Sequence, residues 1–142
     1  MKHLGAGILH TDGKKVLLLY RSANVRAYPH TWACAGGGIE DGENMLQAAE
    51  RESKEEIGCM KGKKIAEFPN DKFVMYIYKV DSPFDVKLND EHTESKWVKL
   101  DEVVDYDLHP NFKKEWPKYL RAIRKGGQLG ECKSFKEWLA NR

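Results

Sequence analysis

Residues 37–59 read GGIEDGENMLQAAERESKEEIGC, and this stretch decides the fold and the chemistry of the chain. The glycines Gly36, Gly37 and Gly38 predict a turn that leads into a helix after Glu43. That helix carries Glu52, Glu55 and Glu56 in its middle. Side chains three and four apart share one helix face, with Cβ atoms roughly 5–6 Å apart. Three carboxylates converging there repel one another unless a cation sits among them. Oxygen-only donors suit a hard divalent ion such as magnesium or manganese. Leu46, Ala49, Ser53 and Ile57 recur at helical spacing and predict the stripe that packs on a sheet. Gly58 then ends the helix.

Gly37, Glu43, Arg51, Glu52, Glu55, Glu56 and Gly58 stand in the spacing G-x5-E-x7-R-E-U-x-E-E-x-G-U, where U is a bulky apolar residue. The stretch resembles the Nudix box. Every charged and glycine position matches, and the two departures, Ser53 and Cys59, fall on U positions. A solvated surface helix, which Glu50 and Lys54 alone would suggest, leaves the glycine entry and the one-sided acids unexplained. The resemblance implies an α/β/α sandwich with a mixed sheet. It also implies hydrolysis of a phosphoanhydride in a nucleoside diphosphate-linked substrate, such as a nucleoside triphosphate, dinucleoside polyphosphate or nucleotide sugar. Water attacks phosphorus with Mg2+, or Mn2+ in its place, cancelling phosphate charge and acidifying the water.

Carried across position by position, the resemblance makes Glu55 and Glu56 the main metal ligands and Glu52 a further ligand or the general base. Arg51 would orient Glu52 by an ion pair, for which Lys lacks the planar fork. Glu43 would brace the loop, and Gly36 would offer its carbonyl to the metal. Gly37 and Gly38 would let backbone approach phosphate. A further carboxylate often comes from a loop beyond the box; Glu91 is preferred to Glu94, which stands closer to the next strand. Arg21 and His109 are candidates for substrate contact, although a lone surface Arg and a turn His before Pro110 need no such role. Trp32 and Trp97 read as core aromatics. Tyr76 stands 17 residues past Cys59, where dinucleoside polyphosphate hydrolases of the family carry a tyrosine. Alternating aromatics such as Tyr76 and Tyr78 are also ordinary in a strand. Val74 occupies the place where ADP-ribose hydrolases carry proline.

The surroundings read as one domain over residues 1–142. Residues 3–10 and 15–20 flank the turn Thr11-Asp12-Gly13-Lys14 and predict a β-hairpin. Residues 24–31 predict a loop, and Trp32 opens a short extended piece. Strands are expected over 65–68, 72–80 and 96–100, with a loop over 81–90. A helix is expected from Pro110, or from Pro117, to about Lys125, stopped by Gly126 and Gly127. Ser134 and Glu137 are spaced as a capping box.

Twenty-four Lys and Arg face 22 Asp and Glu, a net charge of +2. That balance excludes a nucleic-acid-coating protein and an acidic tail. The run Lys61-Gly62-Lys63-Lys64 reads as a solvated loop. Three cysteines (Cys34, Cys59, Cys132) without C-x-x-C pairing predict free thiols in a reducing cytoplasm. The N-terminal apolar run is too short for a signal peptide, and no stretch reaches the roughly 18 apolar residues of a membrane span. The resemblance implies a nucleotide-type small molecule as partner, charge balance and hydropathy point away from a membrane or nucleic acid, and a monomer or homodimer is expected. Two alternatives stand beside hydrolysis. A nucleotide-sensing module would be expected to have lost box acids, and an RNA 5′-end pyrophosphohydrolase would show a basic channel.

Overall fold

The computed structural model describes residues 4–129. His3, Cys132 and the capping box of Ser134 and Glu137 lie outside the described residues. Seven strands and two α-helices follow one another as β1 (Gly5–Thr11), β2 (Lys15–Arg21), β3 (Trp32–Ala33), β4 (Ala35–Gly38), α1 (Met45–Ile57), β5 (Lys63–Pro69), β6 (Phe73–Lys79), β7 (His92–Lys99) and α2 (Pro110–Leu129). The sheet is mixed. β1 runs parallel to β6, from Gly5↔Phe73 to Thr11↔Lys79, and the other pairings are antiparallel.

The β1–β2 turn forms as expected, with Asp12 Oδ1 accepting the N–H groups of Lys14 and Lys15 at 2.9 and 2.8 Å. The hairpin does not continue past it. β1 and β2 meet at Thr11↔Val16 and then diverge. β2 pairs with β3 and β7 instead, while the freed edge of β1 takes β4 through Gly5↔Gly38, Ala6↔Gly37, Gly7↔Gly36 and Ile8↔Ala35. The three glycines are thus a strand rather than the expected turn. Having no side chains, they lie flat between β1 and α1. The chain turns only after them, where Glu43 N–H reaches Glu40 C=O at 3.0 Å and Gly42 adopts φ 85°.

Alternation along β1 and β6 separates two packed layers. Ile8, Val74, Tyr76 and Tyr78 pack with Ala48 and Ala49 of α1. Leu9, Met75 and Ile77 pack with Phe112, Trp116, Tyr119 and Ile123 of α2. Burial of a side chain such as Phe112 or Ile123 contributes about 1.5–3 kcal/mol. This is the α/β/α arrangement with a mixed sheet that the sequence predicts.

Helix α1 starts at a reciprocal cap between Asn44 and Gln47 and stops at Gly58, in the left-handed conformation at φ 84°. The two box departures meet each other: buried Ser53 donates its hydroxyl to the Cys59 carbonyl at 2.7 Å. Ser53→Ala leaves that carbonyl unpaired and should lower stability by about 1–3 kcal/mol. Denaturant unfolding would read the loss, with activity per folded molecule unchanged.

Helix α2 begins at Pro110 and passes Pro117. Pro117 and Lys113, whose carbonyl loses its helical partner, are both exposed, so water can serve that group. The expected stop at Gly126 does not occur, because tertiary packing outweighs propensity. A Cβ there would come within 2.7 Å of Ile65 Cδ1, so the glycine lets α2 approach β5 closely. β7 starts earlier than the sequence suggests and takes in Glu94, while Leu100 opens a 3-10 helix, Leu100–Asp105. Among the described residues no helix is long and apolar enough to cross a membrane.

Candidate active site

Each glycine of β4 meets one functional side chain of α1. Gly36 donates its N–H to Glu56 Oε1 at 3.0 Å. Gly37 lies against the Glu52 carboxylate so closely that an added Cβ would stand 2.8 Å from Oε1. Gly38 gives its carbonyl to Arg51 Nη2 at 2.9 Å. Arg51 is the hub of this end. Its Nε and Nη2 form a two-pronged bond to Glu43 at 2.6 and 3.2 Å, and Nη1 reaches Glu52 Oε2 at 3.1 Å. Glu43 also accepts the Glu40 N–H at 2.9 Å. The Arg51 bond, with that N–H, holds the Glu43 carboxyl below its ordinary range. Arg51→Lys keeps a charge but not the fork, so turnover should fall roughly tenfold while thermal stability changes little.

Glu55 lies apart from its neighbours. Its side chain is half exposed and both oxygens lie 3.2 Å from Arg51 Nη1. The expected three-carboxylate cluster is therefore a buried pair with Glu55 at its exposed edge, tied to Glu52 through the Arg51 Nη1 that both share. Among the described residues no three His, Cys, Asp or Glu side chains stand together as a metal site. The pair is well buried, with Glu52 8% and Glu56 1% exposed. Burial, and then the adjacent Glu52 carboxyl, pushes Glu56 far above the usual carboxylate range, with the Gly36 N–H opposing. Among the described residues, Glu56 Oε2 is buried without a hydrogen-bond partner. Two buried carboxyl groups, one with an orphaned oxygen, fit a hard divalent cation, whose charge would displace the Glu56 proton.

Glu91 sits just before β7, half-buried. Burial raises its carboxyl first, and the charges of Glu52 and Glu55 add to this while Arg21 opposes. Glu94 lies exposed in the strand opposite Tyr20. Glu91 thus lies near enough to feel the Glu52 charge, while Glu94 lies exposed.

Past the glycines a cavity of about 240 Å³ opens between β3, β4, β6 and the start of α2. Ala33, Cys34, Phe73 and Met75 make its apolar wall, with Arg21, His109 and Asn111 as polar members. Binding sites for whole drug-sized ligands run about 300–1,000 Å³, so this one holds part of a molecule. His109 Nδ1 accepts the Asn111 N–H at 3.0 Å, and burial with the Arg21 charge lowers its pKa. A neutral His109 therefore carries its proton on Nε2. Arg21 has a further duty. Its Nη2 bonds the Ala27 carbonyl at 2.7 Å and its Nε the Tyr28 carbonyl at 3.1 Å. These bonds hold a loop in which Tyr28 and His30 take positive φ, 51° and 62°. Such strain costs about 1–3 kcal/mol per residue and gathers at functional sites.

Gly36, Gly37, Arg21 and His109 thus share the cavity wall, and Gly38, Glu43, Arg51, Glu52 and Glu56 share the α1–β4 seam. Tyr76 joins neither. It is buried beneath α1 beside Ile8 and Ala48, on the face of β6 opposite Phe73 and Met75. Strand alternation sends it away from the cavity. Trp32 and Trp97 pack against the core, as expected, with Trp97 Nε1 bonded to the Phe84 carbonyl at 3.0 Å. Among the described residues, Cys34 and Cys59 are free thiols. The sequence reading passed over Asn111, Tyr28 and His92. Exposed Tyr28 meets His109 edge-on at 4.7 Å, and loop position alone gave no signal of it.

The fold is a mixed sheet between two helices, with an Arg-braced acid pair of α1 packed against a glycine strand. The NUDIX domain model matches residues 1–120, and the chain belongs to the Nudix family as a pyrophosphohydrolase. The nucleoside triphosphatase NudI of Escherichia coli O81 (strain ED1a) is 32% identical, over 72% of this chain and 84% of that one. Among solved structures, the M. smegmatis Nudix hydrolase RenU superposes with a TM-score of 0.67 at 26% identity, covering 82% and 83% of the two chains. A C. elegans Ap4A hydrolase gives 0.63 at 25%, covering 97% and 99%.

Proposed function

We propose that this enzyme hydrolyses a phosphoanhydride bond of a nucleoside triphosphate, with a divalent cation held at Glu52 and Glu56. The observation that carries the reading is the buried carboxylate pair, set against a glycine strand that also walls the cavity. The relationship to a nucleoside triphosphatase supports the substrate class. Tyr76, buried beneath α1 and away from the cavity, lends no support to a dinucleoside polyphosphate over a triphosphate.

Mg2+, or Mn2+, would cancel phosphate charge and acidify the attacking water. Glu52 and Glu56 would hold it, and Glu91, the Gly36 carbonyl and Glu55 would be further donors. Glu52 ligates or takes the proton of the water, and Arg51 braced by Glu43 keeps it in place. Arg21 meets the phosphates, which run along Gly37 and Gly38. The apolar wall takes the base, with Asn111 and His109 at its polar edge. The protein acts as one domain, monomer or homodimer, and the free thiols of Cys34 and Cys59 support a reducing cytoplasm as its setting.

The test is a panel of nucleoside triphosphates, dinucleoside polyphosphates, nucleotide sugars and 5′-triphosphorylated RNA, with and without Mg2+. Triphosphates should be cleaved only with Mg2+, and Glu52→Gln should lower kcat far more than it changes KM. Wild-type activity in Glu52→Gln would take Glu52 out of the mechanism. Binding without cleavage across the panel would make the protein a nucleotide sensor.

A further inference from the structure

Five buried side-chain nitrogen or oxygen atoms lack a hydrogen-bond partner among the described residues, and three of them belong to two neighbouring residues: Glu56 Oε2, His92 Nδ1 and His92 Nε2. Leaving such atoms unpaired costs about 1–3 kcal/mol each, so their concentration calls for a cause. His92 is 3% exposed, and its Nδ1 lies 3.9 Å from Glu56 Oε1. That oxygen already accepts the Gly36 N–H at 3.0 Å.

The strand geometry shows that His92 is aimed there. Along β7, Val98 packs with the α2 layer and Trp97 with Ile57 of α1. Strict alternation would put His92 on the Val98 side. The pairing with β2 steps from Tyr20↔Glu94 to Arg21↔His92, leaving Thr93 without an opposite residue. This bulge shifts the alternation by one and turns His92 onto the α1 side, against Glu56. Bulges are found beside active sites where a side chain is re-aimed.

We propose that His92 is a positioning residue for Glu56: its Nδ1–H bonds Glu56 Oε1, which with the Gly36 N–H commits that oxygen and leaves Oε2 for a divalent cation. The separation has to close by about 1 Å to reach hydrogen-bond length, a small rotation of two side chains. Partners of this kind orient a ligating carboxylate, and their loss lowers metal affinity about 10–100-fold. The inference rests on Glu56 being a metal ligand, as the proposed function has it.

The experiment titrates the nucleotide-free full chain with Mn2+ alone, reading free Mn2+ by electron paramagnetic resonance. His92→Leu should weaken Mn2+ binding about 10–100-fold. His92→Asn, whose amide nitrogen stands near the place of Nδ1, should keep most of the affinity. His92→Gln, whose amide falls nearer Nε2, should behave like His92→Leu. A purely structural role would not separate Asn from Gln, so equal binding by those two overturns the proposal, and so does parental affinity in His92→Leu. Should His92→Leu fail to fold, the Asn and Gln variants decide. A parent chain that binds no Mn2+ refutes Glu56 as a ligand and the positioning role with it. Mn2+ bound by the parent and equally by all three variants refutes the positioning role alone.

Discussion

Glu56→Gln should cut turnover roughly a thousandfold yet make the metal-free protein harder to unfold at neutral and alkaline pH. With Glu56 as the proposed metal ligand, the loss follows from the cation, whose charge would stabilise the transition state by several kcal/mol, each 1.36 kcal/mol being worth tenfold in rate. The gain follows from burial, which first, with the neighbouring Glu52 carboxyl second, raises Glu56 far above its ordinary value of 4.5. The folded state therefore keeps the Glu56 proton to higher pH than the unfolded chain does. Stability contributed by this group is whole below about 4.5 and falls as pH climbs toward the raised value, by at most about 1.4 kcal/mol per pH unit. In a chelator, the parent should lose unfolding free energy from about pH 5 to pH 8 relative to Glu56→Gln. Saturating Mg2+ should flatten the parent's curve and leave the variant's unchanged. Parallel curves in chelator would mean that Glu56 carries no such strain.

Much of this site was legible because charged and glycine residues report their duties through spacing. The helix that carries Glu52 and Glu56, its stop at Gly58 and its packing stripe follow from residues three and four apart. What spacing could not report was the partner of each side chain. Glu55 shares the helix with Glu52 and Glu56, but sits at the exposed edge of that pair, bonded to Arg51 one turn back. Tyr76 sits at a suggestive distance along the chain, while its face of the sheet is set by the β1–β6 register, a long-range property. His92 was hidden for the same reason: only the bulge opposite Arg21 turns it toward Glu56. The fold shows the same division. Elements set by local pattern, such as α1 and β6, stand near their expected limits. The glycine run gave the wrong local signal, since three glycines resemble a turn until β1 is known to offer an unpaired edge. Gly126 misled likewise, because its value lies in contact with Ile65 rather than in its own conformation.

Gly37→Ala should fold almost normally and lose activity roughly a hundredfold, while Gly36→Ala should lose the fold's stability itself. The two glycines are adjacent in one strand, and neither has a positive φ, so backbone conformation is not the difference. What differs is the atom that a new Cβ would meet. At Gly36 it would come within 2.9 Å of the Ala6 carbonyl oxygen and of Gly7 Cα, both backbone atoms of β1. Relief requires β4 to pull away from β1, which strains the sheet. At Gly37 the new Cβ would meet the Glu52 carboxyl group, its Cδ at 2.5 Å. A carboxyl at the end of a flexible side chain can swing aside at little cost. In swinging, it leaves Arg51 Nη1 and its place beside Glu56, and misplacing a catalytic group by about 1 Å costs on the order of a hundredfold in rate. Thermal midpoints and kcat measured on both variants separate the outcomes. A Gly37→Ala enzyme with parental kcat would mean that the Glu52 carboxyl has no required position. The glycine strand would then serve the sheet alone.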